Sequence, residues 1–464
     1  MTLIKSISGI RGTIGGKSGT GFTPVDIVKF TAAFGVWLKR KATGTPKIIL
    51  GRDARLSGEM VCRLVSGTLQ AVGIEVIDLG LSTTPTVELA VPAEGALGGI
   101  ILTASHNPVQ WNALKLLNAQ GEFISGADGD EVLQLAESGA IDFVDVKKLG
   151  RYSTNNTYLQ KHIDAILALP LVDREAIEKR NFRIAVDGIN SSGGLAVPLL
   201  LEALGVQTIK RINCEPTGLF AHNPEPLPEN LAEISKEIRN GKFDLGIVVD
   251  PDVDRLAFMC EDGEPFGEEY TLVAVADYVL KHRPGNTVSN LSSTAALREV
   301  TRKAGGEYYA AAVGEVNVVT KMKQVNAVIG GEGNGGVIFP ELHYGRDALV
   351  GIALFLTHLA KFGRSISVLR QAYPSYYISK NKIELTSDID VDDVLGGIQN
   401  KYAKNPVNTE DGLRIEFGQE WVHLRKSNTE PIIRIYAESD FMSKADNLAR
   451  KLMSDIREVV TQKI

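Results

Sequence analysis

Cysteine is scarce in this chain: three among 464 residues, at Cys62, Cys214 and Cys260, with no C-x-x-C pair. That excludes a disulfide framework and a thiolate metal site, and it fits a reducing compartment. Long hydrophobic runs are missing as well. The longest clean apolar helix candidate, around Val350–Leu359, falls far short of the roughly 20 residues a bilayer span requires. The first sixteen residues are broken by Gly9, Gly12, Gly15 and Gly16, so no secretory apolar region can be drawn there. No Lys/Arg run stands out, and the formal net charge is −6. This balance speaks against nucleic-acid or membrane-surface binding. An anionic substrate then requires basic residues to converge locally. The chain reads as soluble and cytoplasmic.

What is present has the composition of a globular protein, 44% hydrophobic and 23% charged. At roughly 150 residues per domain the length predicts about three domains. A unit recurs along the first three quarters: an amphipathic helix, a Gly turn, a β-branched run and a polar Gly/Asp loop. The join Leu69-Gln-Ala-Val-Gly-Ile-Glu-Val76 resembles Leu201-Glu-Ala-Leu-Gly-Val-Gln-Thr208, with a weaker echo at Arg302-Lys-Ala-Gly-Gly-Glu307. In each, Gly stands where a helix end needs a left-handed residue before a strand.

Short apolar runs ending in polar loops predict buried strands at Ile48–Leu50, Gly99–Leu102, Ile184–Val186, Leu245–Val249 and Val328-Ile329. Thr23 as cap and Pro24 at the first position predict a helix with Ile27, Phe30, Phe34, Trp37 and Leu38 on one face. From about Pro374 the pattern changes to alternating strands such as Leu413–Phe417 and a closing helix near Ala445–Val459. The expected fold is three related α/β domains with mixed or parallel sheets plus a smaller C-terminal α+β domain, four domains around a central cleft. Ligands of such sheets bind beyond the carboxyl ends of the strands, which is where the polar loops lie.

Four loops carry chemistry. Thr103-Ala-Ser-His-Asn-Pro108, with Asn112 and Lys115 following, places Ser105 just past a buried strand. That position suits a nucleophile or phosphate carrier, with His106 adjacent and Lys115 available to neutralise phosphate. The plainer reading is a Ser/Asn/Pro turn with a capping hydroxyl. The glycines of a nucleophile elbow are absent. The loop Asp250-Pro-Asp-Val-Asp-Arg255 has carboxylates at alternate positions, more than nearby Lys or Arg is expected to stabilise. A hard divalent cation is the simplest way to hold Asp250, Asp252 and Asp254 together. An EF-hand is excluded because its sixth position needs Gly and here is Arg255. Magnesium is favoured over calcium, because three carboxylates leave positions open for a phosphate oxygen.

Gly330-Gly-Glu-Gly-Asn-Gly-Gly336 offers Glu332 and Asn334 for bidentate hydrogen bonds to vicinal sugar hydroxyls, although a flexible turn explains the glycines equally well. Arg425-Lys-Ser-Asn-Thr-Glu-Pro431, with Arg434 beyond it, supplies a guanidinium fork, hydroxyls, an amide and backbone N–H groups. Such a set forms a phosphate clamp, against the alternative of an ordinary hairpin tip.

Taken together, these loops resemble those of the α-D-phosphohexomutase family, in the family's order and over nearly the whole chain. The resemblance implies that Ser105 of T-A-S-H-N-P carries a phosphate and that Asp250, Asp252 and Asp254 bind Mg2+, with Ser105 as a further ligand and Arg255 beside them. It implies that Glu332 and Asn334 contact the sugar, and that Arg425, Ser427, Asn428 and Thr429 grip the non-reacting phosphate. Ser8-Gly-Ile-Arg-Gly12 matches the family's opening signature and brings Arg11 to the reacting phosphate. Lys115 matches the lysine downstream of the serine, and Val313-Gly314 a turn near the sugar. The implied domains are a phosphoserine domain (1–151), a metal-binding domain (152–258), a sugar-binding domain (259–373) and a C-terminal phosphate-binding domain (374–464). Departures are Asn334 and Gly336, where many bacterial members carry Ser and His, and Ala113, where Gly is usual.

The implied reaction interconverts hexose 6-phosphate and hexose 1-phosphate through a phosphoserine and a hexose 1,6-bisphosphate, with Lys115 or His106 moving the hydroxyl proton. Glucosamine phosphate is the expected sugar, with mannose or glucose phosphate as alternatives, and the enzyme is expected as a monomer or homodimer. Rival readings are a metal-dependent phosphatase and a non-catalytic sugar-phosphate-binding protein.

Overall fold

The helix Pro24–Arg40 begins as its sequence dictates. Thr23 Oγ1 accepts from Asp26 N, Asp26 returns the bond to the Thr23 backbone, and Pro24 fills the first position. Its expected apolar face is buried: Ile27, Phe30, Phe34, Trp37 and Leu38 are each at most 3% exposed. The computed structural model describes residues 1–6, 9–41, 46–386, 389–426 and 432–461. Ser427, Asn428 and Thr429, named above as phosphate contacts, lie outside the described residues.

Three sheets share one design. In the first, Glu75–Leu81, Lys47–Arg52 and Gly98–Leu102 run parallel, and Trp111–Leu117 closes the set antiparallel. In the second, the same places are taken by Thr208–Ile212, Arg183–Asp187, Leu245–Val249 and the antiparallel Leu256–Cys260. In the third they are Tyr308–Ala311, Asn286–Asn290, Ala327–Glu332 and the antiparallel Gly336–Ile338. The helix-end glycines Gly73, Gly205 and Gly305 adopt φ of +81°, +87° and +81°, the left-handed region only glycine enters freely.

Each turn from the third strand into the antiparallel fourth is one of the chemical loops: Ser105 in the first sheet, Asp250 to Arg255 in the second, Gly333 to Gly335 in the third. Triplication therefore puts three equivalent strand ends around one cleft.

The first sheet is extended by Gly9–Thr13 and Leu3–Ser6 at one edge and by Tyr152–Thr154 at the other. It therefore runs beyond residue 151, and the division expected after residue 258 falls inside the strand Leu256–Cys260. The second and third sheets share one apolar core through the helices Glu268–His282 and Ala348–Phe362, with Phe258 stacked on Phe355 at 3.8 Å between ring centroids. The C-terminal part is a five-stranded antiparallel sheet with the helices Val391–Lys401 and Met442–Thr461 packed on it.

Candidate active site

Ser105 sits 8% exposed at the end of Gly98–Leu102 with φ of +48°. A non-glycine residue there is uncommon and must be held by its surroundings. The holder is Arg55, which sequence reasoning missed. Its guanidinium is buried and spends all five N–H donors. Nε donates to Asp53 Oδ2 at 3.0 Å, Nη1 to Pro108 O at 2.7 Å and Trp111 O at 3.0 Å. Nη2 donates to Ser105 O at 2.5 Å and Asn107 O at 2.6 Å. Thr103 Oγ1 donates to Asp53 at 2.6 Å and accepts from Ser105 N at 3.0 Å. The one signal in the sequence was Asp53-x-Arg55 immediately past a strand.

Ser105 Oγ donates to Asp250 Oδ2 at 2.7 Å and lies 3.4 Å from His106 Nδ1. Asp250, Asp252 and Asp254 are fully buried, with ligand oxygens within 4.8 Å of one another. Between them Val253 adopts φ of +65°, an outlier for a β-branched residue, so strain is stored on both faces of the site. The sequence led us to expect too few cations for these carboxylates, and for two of them that is corrected. Lys115 Nζ donates to Asp252 at 2.7 Å and Asp254 at 3.1 Å, and Arg346 Nη2 to Asp254 at 2.7 Å. Asp250 has no ammonium or guanidinium bonded to it among the described residues; it accepts from Ser105 and from the Asp254 and Arg255 backbone.

Burial, then Asp254 and Asp252, push the Asp250 carboxyl well above the usual range. Asp254 is held below it: burial opposes ionisation, but Arg346 and Lys115 outweigh burial. Asp252 Oδ1 and Asp254 Oδ1 are buried without a hydrogen bond among the described residues. Hard oxygen donors left unpaired in a buried triad fit a magnesium-type cation held by Asp250, Asp252 and Asp254.

A cleft of about 640 Å3 opens beside the triad, lined among others by Arg11, Lys115, Arg255, Glu332, Asn334 and Arg346. Arg11 lies directly across from Ala113 on the neighbouring strand, so Lys115, two residues on, shares its face. Burial, then Arg434 and Arg255, all disfavour the Arg11 charge. Three guanidiniums thus crowd one region, and the buried Nε atoms of Arg11 and Arg255 carry no hydrogen bond among the described residues. Such a set of guanidiniums is suited to an anion. His106 is held neutral, its pKa pushed down to about 2 by burial and then by Arg255. For Lys115, burial lowers the pKa, but Asp252 and Asp254 outweigh it and hold the group above its ordinary value.

Glu332 accepts from Asn290 Nδ2 at 2.9 Å, Gly314 N at 3.0 Å and Arg346 Nη1 at 2.8 Å. Arg346, also unremarked in the sequence, binds Glu315 at 2.9 Å as well, so one guanidinium gathers three carboxylates. Burial raises Glu315 to about 7. On the C-terminal sheet Arg425 lies directly opposite Arg434, a pairing of like charges that an anion would relieve. Arg425 Nε donates to Asp411 Oδ2 at 2.7 Å, and that oxygen accepts from Val313 N at 2.9 Å, tying this sheet to the Val313-Gly314 turn.

Comparison with known proteins identifies the family. The phosphoglucomutase/phosphomannomutase family matches in four segments: alpha/beta/alpha domain I over residues 3–141, domain II over 160–263, domain III over 267–377 and the C-terminal domain over 382–454. The chain belongs to this family. It is 35% identical over 440 residues to a phosphoglucomutase/phosphomannomutase of Thermococcus kodakarensis, covering 94% of this chain and 95% of that one. It is 31% identical over 459 residues to a probable phosphoglucosamine mutase of Methanopyrus kandleri, covering 98% of each. Among solved structures, a phosphoglucomutase/phosphomannomutase family protein of Burkholderia thailandensis shares the fold with a TM-score of 0.85 at 24% identity, over 98% of this chain and 97% of that one.

Proposed function

We propose that this protein is a phosphohexomutase, an isomerase that interconverts hexose 6-phosphate and hexose 1-phosphate, with glucosamine phosphate as its preferred sugar. The observation that carries the reading is Ser105. It is a buried serine in a strained backbone, its Oγ 2.7 Å from a carboxylate of an acidic triad and flanked by a cleft rich in guanidinium groups.

In the forward step the Oγ–P bond of phosphorylated Ser105 breaks as a sugar hydroxyl oxygen bonds to phosphorus; the proton that hydroxyl gives up is matched by the one the freed Ser105 Oγ takes up to become a hydroxyl again. The hexose 1,6-bisphosphate turns over in the cleft, and its other phosphate returns to Ser105. Asp250, Asp252 and Asp254 would hold Mg2+, which supplies offsetting charge for the transferring phosphoryl group. Arg11 and Arg255 add to that compensation, and Lys115 keeps the aspartates in place. Arg425 and Arg434 hold the phosphate that is not reacting, with Ser427, Asn428 and Thr429 completing the grip. Glu332 and Asn334 orient the sugar hydroxyls. The carboxylates Asp130, Glu315 and Glu332 line the same cleft and support a 2-ammonium group as neighbour. Among the described residues no helix is long and apolar enough to cross a membrane, and Cys62, Cys214 and Cys260 are free thiols. The free thiols support a reducing compartment, and we read the enzyme as cytoplasmic and as a monomer or homodimer.

The test is a coupled assay with Mg2+ and a trace of hexose 1,6-bisphosphate, run on glucosamine, glucose and mannose phosphates, beside intact mass. We expect a phosphate-sized increment mapped to Ser105, fastest turnover of the glucosamine sugar, and loss of both in Ser105→Ala. Net phosphate release would favour a phosphatase. Equal or better turnover of mannose or glucose phosphate would overturn the sugar assignment alone.

A further inference from the structure

Behind the acidic triad lies a second convergence of ligating groups that the mutase chemistry does not use. His162, on the helix Tyr158–Leu167, places Nε2 2.9 Å from Asp347 Oδ2. His343 places its own Nε2 3.2 Å from the same oxygen. One ligand atom from each of the three residues lies within 4.8 Å of the others, as in the aspartate triad. Asp347 is fully buried, and its other oxygen caps the helix Ala348–Phe362 by accepting from Leu349 N at 2.8 Å.

The far nitrogen of His162 is hydrogen-bonded, whereas that of His343 faces a carboxylate without a hydrogen bond among the described residues. His162 Nδ1 lies 2.9 Å from Thr86 Oγ1, and His343 Nδ1 lies 3.4 Å from Glu88 Oε2. Glu88 is 1% exposed, and neither of its oxygens forms a hydrogen bond among the described residues. The chain packs so closely on it that a Cβ at Gly345 would come within 1.9 Å of Glu88 Oε2. A buried carboxylate with no bond of its own, aimed at the back of an imidazole, is the partner that metal-bound histidines characteristically have.

We propose that His162, His343 and Asp347 form a second metal site, distinct from the aspartate triad, that takes a nitrogen-seeking divalent cation of the zinc class. Thr86 and Glu88 orient its histidines, and an open fourth position takes water. Two nitrogens and one oxygen suit zinc and are unsuited to magnesium, which prefers an all-oxygen shell. The site joins three stretches of chain: the helix Thr84–Ala93, the helix Tyr158–Leu167 and the residues leading into Ala348–Phe362. Two of these also hold the catalytic aspartates, since Thr84 N donates to Asp252 O at 2.8 Å and Arg346 binds Asp254. The ion braces the floor of the cleft. This proposal does not depend on the sugar or the reaction assigned above.

The test is zinc titration of the metal-stripped full-length protein in excess MgCl2, which keeps the aspartate triad filled. Zinc K-edge absorption reads the ligands. We expect one zinc per chain with imidazole nitrogen in its shell, and a higher melting temperature on loading. His343→Gln abolishes binding, whereas Asp250→Asn leaves it intact. Glu88→Gln weakens affinity about 10- to 100-fold, the usual effect of losing a ligand's orienting partner. If His162→Gln fails to fold, His343→Gln still decides the matter, because the His343 side chain is 11% exposed and lies at the rim. No zinc bound in excess magnesium, or zinc binding that survives His343→Gln, would overturn the proposal and leave the cluster as a hydrogen-bonded relay.

Discussion

Replacing Arg55 with lysine tests how the reactive serine is positioned. The guanidinium satisfies five acceptors: Asp53, Ser105 O, Asn107 O, Pro108 O and Trp111 O. A lysine ammonium has three donors, so at least two acceptors lose their partner. Hydrogen bonds to charged groups are worth about 1.5–3 kcal/mol each, which puts the loss at about 3–6 kcal/mol if the loop stays in place. Much of it will be relieved by the loop moving, and Ser105 then leaves its φ of +48° and its 2.7 Å contact with Asp250. A displacement on the order of 1 Å at a reacting atom costs about 100-fold in rate. We expect Arg55→Lys to lower kcat about 100-fold with little change in KM, and to lower the melting temperature. Mutase kinetics and calorimetry on the phosphorylated protein measure both. Wild-type kcat together with a wild-type melting temperature would refute the claim that Arg55 holds the loop.

Arg434→Ala should raise KM about tenfold and leave kcat nearly unchanged, because it removes one charge-assisted phosphate contact that is present throughout the reaction; a fall in kcat at constant KM would place Arg434 elsewhere in the mechanism. Glu269 gives a pH signature. Burial, against the pull of Lys380, pushes its carboxyl up from 4.5 to about 8. The folded state therefore holds a proton that the unfolded chain releases between those values. Its stabilising contribution is fully present below about pH 4.5 and is lost as pH rises towards 8, at no more than about 1.4 kcal/mol per pH unit. Melting curves of wild type and Glu269→Gln across this range should differ by an amount that shifts with pH in that direction; a constant difference would refute the assignment.

The sequence by itself determined the elements and the location of the chemistry, because both are local. Thr23-Pro24 starts a helix through its own capping bonds. Gly73, Gly205 and Gly305 end helices in the left-handed region, which glycine adopts at least cost. Apolar runs such as Leu245–Val249 are strands buried on both faces, and a polar loop at such an end is a site by construction. Tertiary structure alone decided how these pieces are held. Ser105 meets Asp250 across 145 residues of chain. Arg55 had only the Asp53-x-Arg55 spacing to mark it and Arg346 had no signal, and both matter because folding encloses them among acceptors that burial leaves no other partner. For the same reason Lys115 and Arg346 come to serve the aspartates, beside which the sequence showed only Arg255. The second sheet takes its last strand through Cys260, and the second and third domains share a core, because antiparallel pairing and burial, unlike composition, act across the chain. The cluster of His162, His343, Asp347 and Glu88 is the extreme case: four residues scattered over 260 positions, joined only by the fold.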